Sequence, residues 1–290
     1  MIKDIVVKLS VGERASRAED YAVSVAAAFG AHVIGIAFLY YPIVPVADGG
    51  YTLADIYGSR AGVGSVPPEM IETQQRDNAA AAKAAIDRFA TATARARVSA
   101  ESLSPGANFA SAGDQFGRIA RHFDLSVVGQ AEPESGAIEE KIVEAALFDS
   151  GRPVIVVPYI QKAPLKLDRT MVCWDGSRAA ARAIADAMPL LERAGLVEVV
   201  IIANERGKQD EIEGADMGQH LARHGLKVEV KRIDYGNLDV ADALLSHAAD
   251  SDVDLIVMGG YGHSRLREFV LGGVTRSILR TMTAPVLMSH

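Results

Sequence analysis

The chain of 290 residues has one cysteine, Cys173, and one tryptophan, Trp174. A single cysteine cannot close an internal disulfide or furnish a multi-thiolate metal site, which fits a reducing compartment. Positive charge is also short, with 30 Lys and Arg against 37 Asp and Glu, a formal net charge of −7. That balance argues against a broad nucleic-acid surface and against attraction to anionic membranes by charge. No apolar run approaches the ~20 residues of a membrane span. The opening Met1-Ile2-Lys3-Asp4-Ile5-Val6-Val7 reads as a strand rather than a secretory leader. The expectation is a soluble cytoplasmic protein that binds neither nucleic acid nor membrane. What the chain does have is ordinary globular stock, 49% apolar and 23% charged, which rules out wholesale disorder. Its length is about twice the ~150 residues of an average domain, so two similar domains are expected.

Short β-branched runs alternate with Ala-rich helical stretches. In the first half, strands are expected near 5–9, 33–38, 125–129 and 154–157, and helices over 16–29, 68–97 and 138–148. The second half repeats the order, with strands near 170–173, 197–203, 227–233, 255–258 and 285–288. Its helices are expected over 179–194, 212–224, 240–249 and 275–281. Strands this short and apolar suit a parallel sheet buried on both faces, with helices as right-handed crossovers. The first strands of the two halves are offset by 166 residues (171 − 5), but the strands ending in Gly129 and Gly259 by only 130 (259 − 129). The first half therefore carries about 36 extra residues, mostly within 40–75. A connection that long is usually a functional element or disordered.

In an open α/β sheet, ligands sit at the carboxyl ends of the strands near a topological switch point. There the second half carries Gly259-Gly260-Tyr261-Gly262, nine residues, then Gly272-Gly273-Val274-Thr275 opening the last helix. Glycines at the strand end let backbone approach a ligand, and bare helix-first amides favour an anion such as phosphate. The pattern is neither the phosphate loop with its lysine nor the dinucleotide fingerprint.

Gly259-x-x-Gly262, nine residues, then Gly272 resembles the ATP-binding signature of the universal stress protein family. Asp175-Gly176-Ser177 and Ala284-Pro285-Val286-Leu287 resemble that family's opening and closing motifs. The resemblance implies two tandem open-sheet, mostly parallel Rossmann-like domains of the adenine nucleotide alpha-hydrolase-like type, over 1–160 and 166–290. It implies that they pack as an intramolecular pseudo-dimer, with 152–157 meeting 284–289. It also implies a stress-response sensor or regulator that binds ATP, ADP or AMP, with Mg²⁺ carried by the phosphates, and that acts through a protein partner or a homo-oligomer. By that likeness Asp175 holds the ribose or adenine side and Ala203 borders the adenine. Met258, Gly259 and Gly262 line the ribose and first phosphate, and Gly272, Gly273 and Val274 offer amides to the phosphates. The family signature has Ser or Thr where this chain has Gly273, and Thr275 is a candidate substitute for the missing hydroxyl. The first half departs further. It has no aspartate after Val7-Lys8-Leu9-Ser10, and Glu132 and Glu134 stand where phosphate would sit. One nucleotide per chain, or none, is expected.

Several residues have plainer readings. The glycine loop also reads as a turn before a helix, and Asp175 as a cap of the helix that follows it. Trp174 either walls a pocket or packs on a helix. Cys173 reads as an inert core thiol. His220 and His224 at i, i+4 read as a solvated face, since no glutamate stands between them in a metal-binding arrangement. His263, Arg265, Arg267 and Arg276 are either phosphate contacts or loop polarity. No nucleophile–base pair, carboxylate dyad or metal cluster emerges, so slow ATP hydrolysis is the most that is expected of it as an enzyme. The rival reading is a pseudo-dimer without nucleotide that acts through protein partners alone.

Overall fold

The computed structural model describes residues 1–11, 17–41, 43–46, 49–52, 68–131, 137–202, 208–233, 239–260 and 273–290. Ten strands form one sheet. In the first half they are β1 (Asp4–Lys8), β2 (His32–Ile36), β3 (Ala100–Leu103), β4 (Leu125–Gly129) and β5 (Val154–Val157). In the second they are β6 (Arg169–Cys173), β7 (Leu196–Ile202), β8 (Val228–Ile233), β9 (Leu255–Gly259) and β10 (Val286–Ser289). The helices are α1 (Arg17–Phe29), α2 (Pro68–Ala96), α3 (Ala112–Ala120), α4 (Ala137–Phe148), α5 (Arg178–Leu191), α6 (Lys208–Arg223), α7 (Val240–Asp250) and α8 (Gly273–Thr281). Among the described residues no helix is long and apolar enough to cross a membrane.

Across the sheet the order is β8-β7-β6-β9-β10-β5-β4-β1-β2-β3. Each half is a parallel sheet of identical strand order. The two meet where β10 and β5 pair antiparallel, with Val286 opposite Val156, Leu287 opposite Ile155 and Met288 opposite Val154. The two terminal strands thus meet as the motif resemblance implied. Burial explains the composition of the inner strands: β5 is Val-Ile-Val-Val, buried throughout, and β4 and β9 are buried up to their last glycine. One face of the sheet packs on α1, α2, α5 and α6 through residues such as Tyr21, Phe89, Ile184 and Leu221. The other packs on α3, α4, α7 and α8 through Phe116, Leu147, Leu244 and Ile278.

Two elements of the first half lie where none was expected. The strand β3 is Ala-Glu-Ser-Leu, with alternate residues exposed because it is the sheet edge. The helix α3 contains Gly113 and Gly117, which read as helix breakers in the sequence. Here they are the contact with α4: a Cβ at Gly113 would lie 2.9 Å from the Lys141 carbonyl oxygen, and one at Gly117 3.0 Å from that of Ala145. With β3 in place, the extra length falls between the second and third strands, where the offset between halves drops from 164 (196 − 32) to 128 (228 − 100). The described part of that insertion holds an antiparallel pair, Ile43–Val46 with Gly49–Thr52, and then the start of α2.

Candidate functional site

The switch point of the second half lies at β6, whose sheet neighbours β7 and β9 diverge to either side. From the end of β6 the chain runs Trp174-Asp175-Gly176-Ser177 into α5. Gly176 has a positive φ of 73°, which turns the chain sharply. Ser177, not Asp175, is the N-cap of α5: its hydroxyl accepts the Ala180 N–H at 3.0 Å. The exposed Asp175 carboxylate accepts the Ser177 N–H at 2.9 Å, an Asx-type turn that fixes the carboxylate at the strand exit. Beside it, Trp174 packs on the α5 side of the sheet, and its indole N–H is buried without a hydrogen-bond partner among the described residues. Burial pushes the Cys173 thiol up to about 12, and the Asp175 carboxylate adds to the rise. The thiol is therefore protonated at neutral pH and chemically quiet.

On the neighbouring strand, Met258 is buried in the core on the α8 side, which leaves its backbone rather than its side chain to face a ligand. Gly259 is explained by packing: a Cβ there would lie 2.6 Å from the Ala180 nitrogen and 2.7 Å from the Ala179 carbonyl carbon. Its missing side chain lets the first turn of α5 close over β9. Gly260 donates its N–H to the Ser289 carbonyl at 2.8 Å and accepts from His290 Nδ1 at 3.0 Å. The helix α8 then opens at Gly273, which is exposed, and among the described residues outside its own helix no heavy atom lies within 4 Å of where its Cβ would stand. Val274 is half-buried against the core, and Thr275 is buried. Thr275 thus faces inward while Gly273 faces solvent. Ala203, Gly262 and Gly272 lie outside the described residues, as do His263, Arg265 and Arg267.

At the matching place in the first half, Lys8 ends β1 where Cys173 ends β6. The helix α4 that follows β4 corresponds to α8, which follows β9, and Glu139 lies in the first turn of α4. Lys8 is buried, and its Nζ pairs with Glu139 Oε1 at 3.2 Å. Glu139 Oε2 and the Tyr40 hydroxyl are buried without hydrogen-bond partners among the described residues. Alongside, buried Glu19 accepts the Ser10 N–H at 2.7 Å, and Arg88 donates to the Ser10 carbonyl at 2.9 Å. The sequence hid the Lys8–Glu139 pair because its members are 131 residues apart. Glu132 and Glu134, the carboxylates expected there, lie outside the described residues. Elsewhere, His220 and His224 form an exposed ring pair with centroids 4.8 Å apart. Among the described residues no three His, Cys, Asp or Glu groups gather as a metal site.

Residues 166–290 match the sequence profile of the universal stress protein family. A universal stress protein of Synechocystis is 27% identical over 175 residues, 57% of this chain and 57% of that protein. One of Bacillus subtilis is 41% identical over 54 residues, 19% of this chain and 36% of that protein. The chain thus spans little more than half the length of the first of these relatives and about a third of the second. Among solved structures, a universal stress protein from Archaeoglobus fulgidus has a TM-score of 0.67 at 15% identity, covering 99% of this chain and 97% of that one. A protein of unknown function from Pseudomonas aeruginosa has a TM-score of 0.60 at 13% identity, covering 99% and 92%. At such identities the likeness is one of fold. Residues 166–290 thus form a universal stress protein family domain, and the first half has the same strand order.

Proposed function

We propose that the second half binds ATP or a related adenine nucleotide, and that this binding makes the chain a stress-response sensor or regulator. Some members of the family bind ATP. The observation that carries the reading to this chain is the pairing of a fixed Asp175 carboxylate at the β6 exit with an exposed Gly273 at the start of α8, the helix that follows the adjacent strand β9. Unpaired helix-first amides and the helix dipole attract phosphate. A carboxylate at the strand exit suits ribose hydroxyls or adenine. By likeness Ala203, Gly259, Gly262 and Gly272 complete the lining, Gly273 and Val274 offer amides, and Mg²⁺ arrives on the phosphates. Thr275 is buried and does not replace the hydroxyl missing at Gly273. The site thus works through backbone amides, and its affinity is expected to fall below that of a member with the full signature.

The first half is read as a duplicated domain that takes no nucleotide. Its buried Lys8 is already paired with Glu139 in the first turn of α4, so that cation is not offered to a phosphate. The reading is regulation in the cytoplasm rather than efficient turnover. The rival reading, a body that acts through protein partners alone, rests on the glycine at position 273.

A thermal-shift titration with ATP, ADP and AMP, with and without Mg²⁺, tests the proposal. A ligand bound to the folded state raises the melting temperature by mass action. A dose-dependent rise is expected, with one nucleotide per chain by calorimetry. Gly273→Asp should abolish it, because the new side chain has room yet puts a carboxylate at the helix start. No rise at millimolar nucleotide would leave the partner-only reading standing. Phosphate release lost in the same variant would mark a slow ATPase.

A further inference from the structure

We infer that the phosphate-facing helix of the second half is seated by the first half, and that Gln130 is the positioning residue that holds it. This rests on the adenylate reading above. The last carbonyls of a helix have no partner within it and must find one elsewhere. In α8, which ends at Thr281, the Ile278 carbonyl accepts the Met282 N–H at 2.8 Å. The next carbonyl, Leu279, accepts from Gln130 Nε2 at 3.0 Å, across 149 residues of chain. Gln130 follows β4 in the first half and is itself immobilised. Its own N–H reaches the Val157 carbonyl at 2.8 Å, and its Oε1 accepts the Tyr159 N–H at 3.2 Å. It is 5% exposed, so this amide is a buried, doubly bonded bracket between β4, the chain leaving β5, and α8.

The bracket runs one way. The residue matching Gln130 in the second half is Gly260, which repeats the backbone bond but has no side chain to offer. The first half's own helix α4 is closed locally instead, with Ser150 Oγ donating to the Ala146 carbonyl. Gly260 meets α4 only by contact, its Cβ position lying 2.8 Å from Leu147 Cδ1. Both ends of the glycine loop therefore rest on the first half: Gly260 against Leu147, and α8 through Gln130. A nine-residue helix has about two and a half turns, so a change at Leu279 reaches the Gly273 end with little to absorb it.

The test uses the full chain with MgATP as the probe. Gln130→Leu should weaken MgATP binding by about five- to tenfold, the worth of one buried hydrogen bond. In the ligand-free protein it should also speed hydrogen exchange of the α8 amides, with the α7 amides unchanged. Gln130→Glu separates positioning from packing. Its carboxylate cannot donate to the Leu279 carbonyl at pH 8, but its protonated form can at pH 5. Relative to the unsubstituted protein at each pH, the Glu variant should be impaired at pH 8 and recover at pH 5, whereas the Leu variant stays impaired at both. Equal impairment of both variants at both pH values, or unchanged α8 exchange in Gln130→Leu, overturns the inference. If the unsubstituted chain takes up no MgATP, the adenylate reading fails, and the α8 exchange of the two variants at the two pH values still decides the seating.

Discussion

Gly273 and Glu19 show at residue scale how the two halves diverged. At Gly273 no described residue outside its own helix stands within 4 Å of the Cβ position, so none of them forces the departure from the family signature. Gly273→Ser should therefore fold normally and return the hydroxyl to the helix start. A hydrogen bond to a charged group is worth about 1.5–3 kcal/mol, so ATP affinity measured by calorimetry should rise about tenfold or more. An unchanged affinity would place the phosphates away from this turn. Glu19 makes a different prediction. Burial raises its carboxyl from 4.5 to about 7, opposed by the Ser10 N–H bond, Arg88 and Lys8 and assisted by Asp20. The folded chain thus holds a proton that the unfolded chain releases as pH rises from 4.5 to about 7, and stability falls across that window by about 3 kcal/mol. Gln at this position keeps an acceptor for Ser10 and carries no such proton. Urea midpoints of Glu19→Gln should gain on the parent between pH 5 and pH 8, and a constant gap between the two proteins would refute the assignment.

At the scale of elements, the buried cluster joining β6, β7 and α7 carries the clearest test. The side chain of Glu198 in β7 is fully buried, pairs with Arg169 Nη1 of β6 at 3.0 Å, and also bonds His247 Nε2 of α7. Arg169 and His247 reach solvent, with side chains 35% and 22% exposed, but the carboxylate does not. The cost of breaking the cluster is therefore lopsided. Arg169→Met leaves the buried carboxylate with the His247 bond alone and should cost up to about 3–5 kcal/mol in denaturant unfolding, whereas Glu198→Leu frees two side chains that can hydrate and should cost less. The reverse order would mean that the Arg169 stem matters more than its charge. Element scale is also where the sequence was legible and where it stopped. Inner strands such as β5 and β9 announce themselves, because burial on both faces demands continuous aliphatic runs. The edge strand β3 does not, because its Glu101 and Leu103 face water and leave a pattern no stronger than a loop. The helix α3 was concealed for a different reason: Gly113 and Gly117 serve contact with α4, which no local propensity reveals. The glycine loop was visible as an anion-binding pattern, but the role of Gly259 as a seat for α5 and the inward face of Thr275 depend on tertiary neighbours.

At whole-molecule scale, the pairing of β5 with β10 makes one body of two halves. The residues at the junction, Val154, Ile155 and Val156 with Val286, Leu287 and Met288, are fully buried. Ile155 and Leu287 face α1 and α5 on one side of the sheet, and their neighbours face α4 and α8 on the other. Each half thus completes its core with side chains from its partner. A chain built this way should unfold as one unit despite its length, because opening either half exposes an apolar strand edge of the other. Differential scanning calorimetry should give one transition whose calorimetric and van't Hoff enthalpies agree. Ile155→Ala in the first half and Leu287→Ala in the second should each lower that same transition, at a cost of about 2–5 kcal/mol. Two resolved transitions, with each substitution moving only its own, would show that the halves are joined by a weak contact. The first half could not then hold α8 in register, because Gln130 can seat that helix only if the central strand pair stays closed.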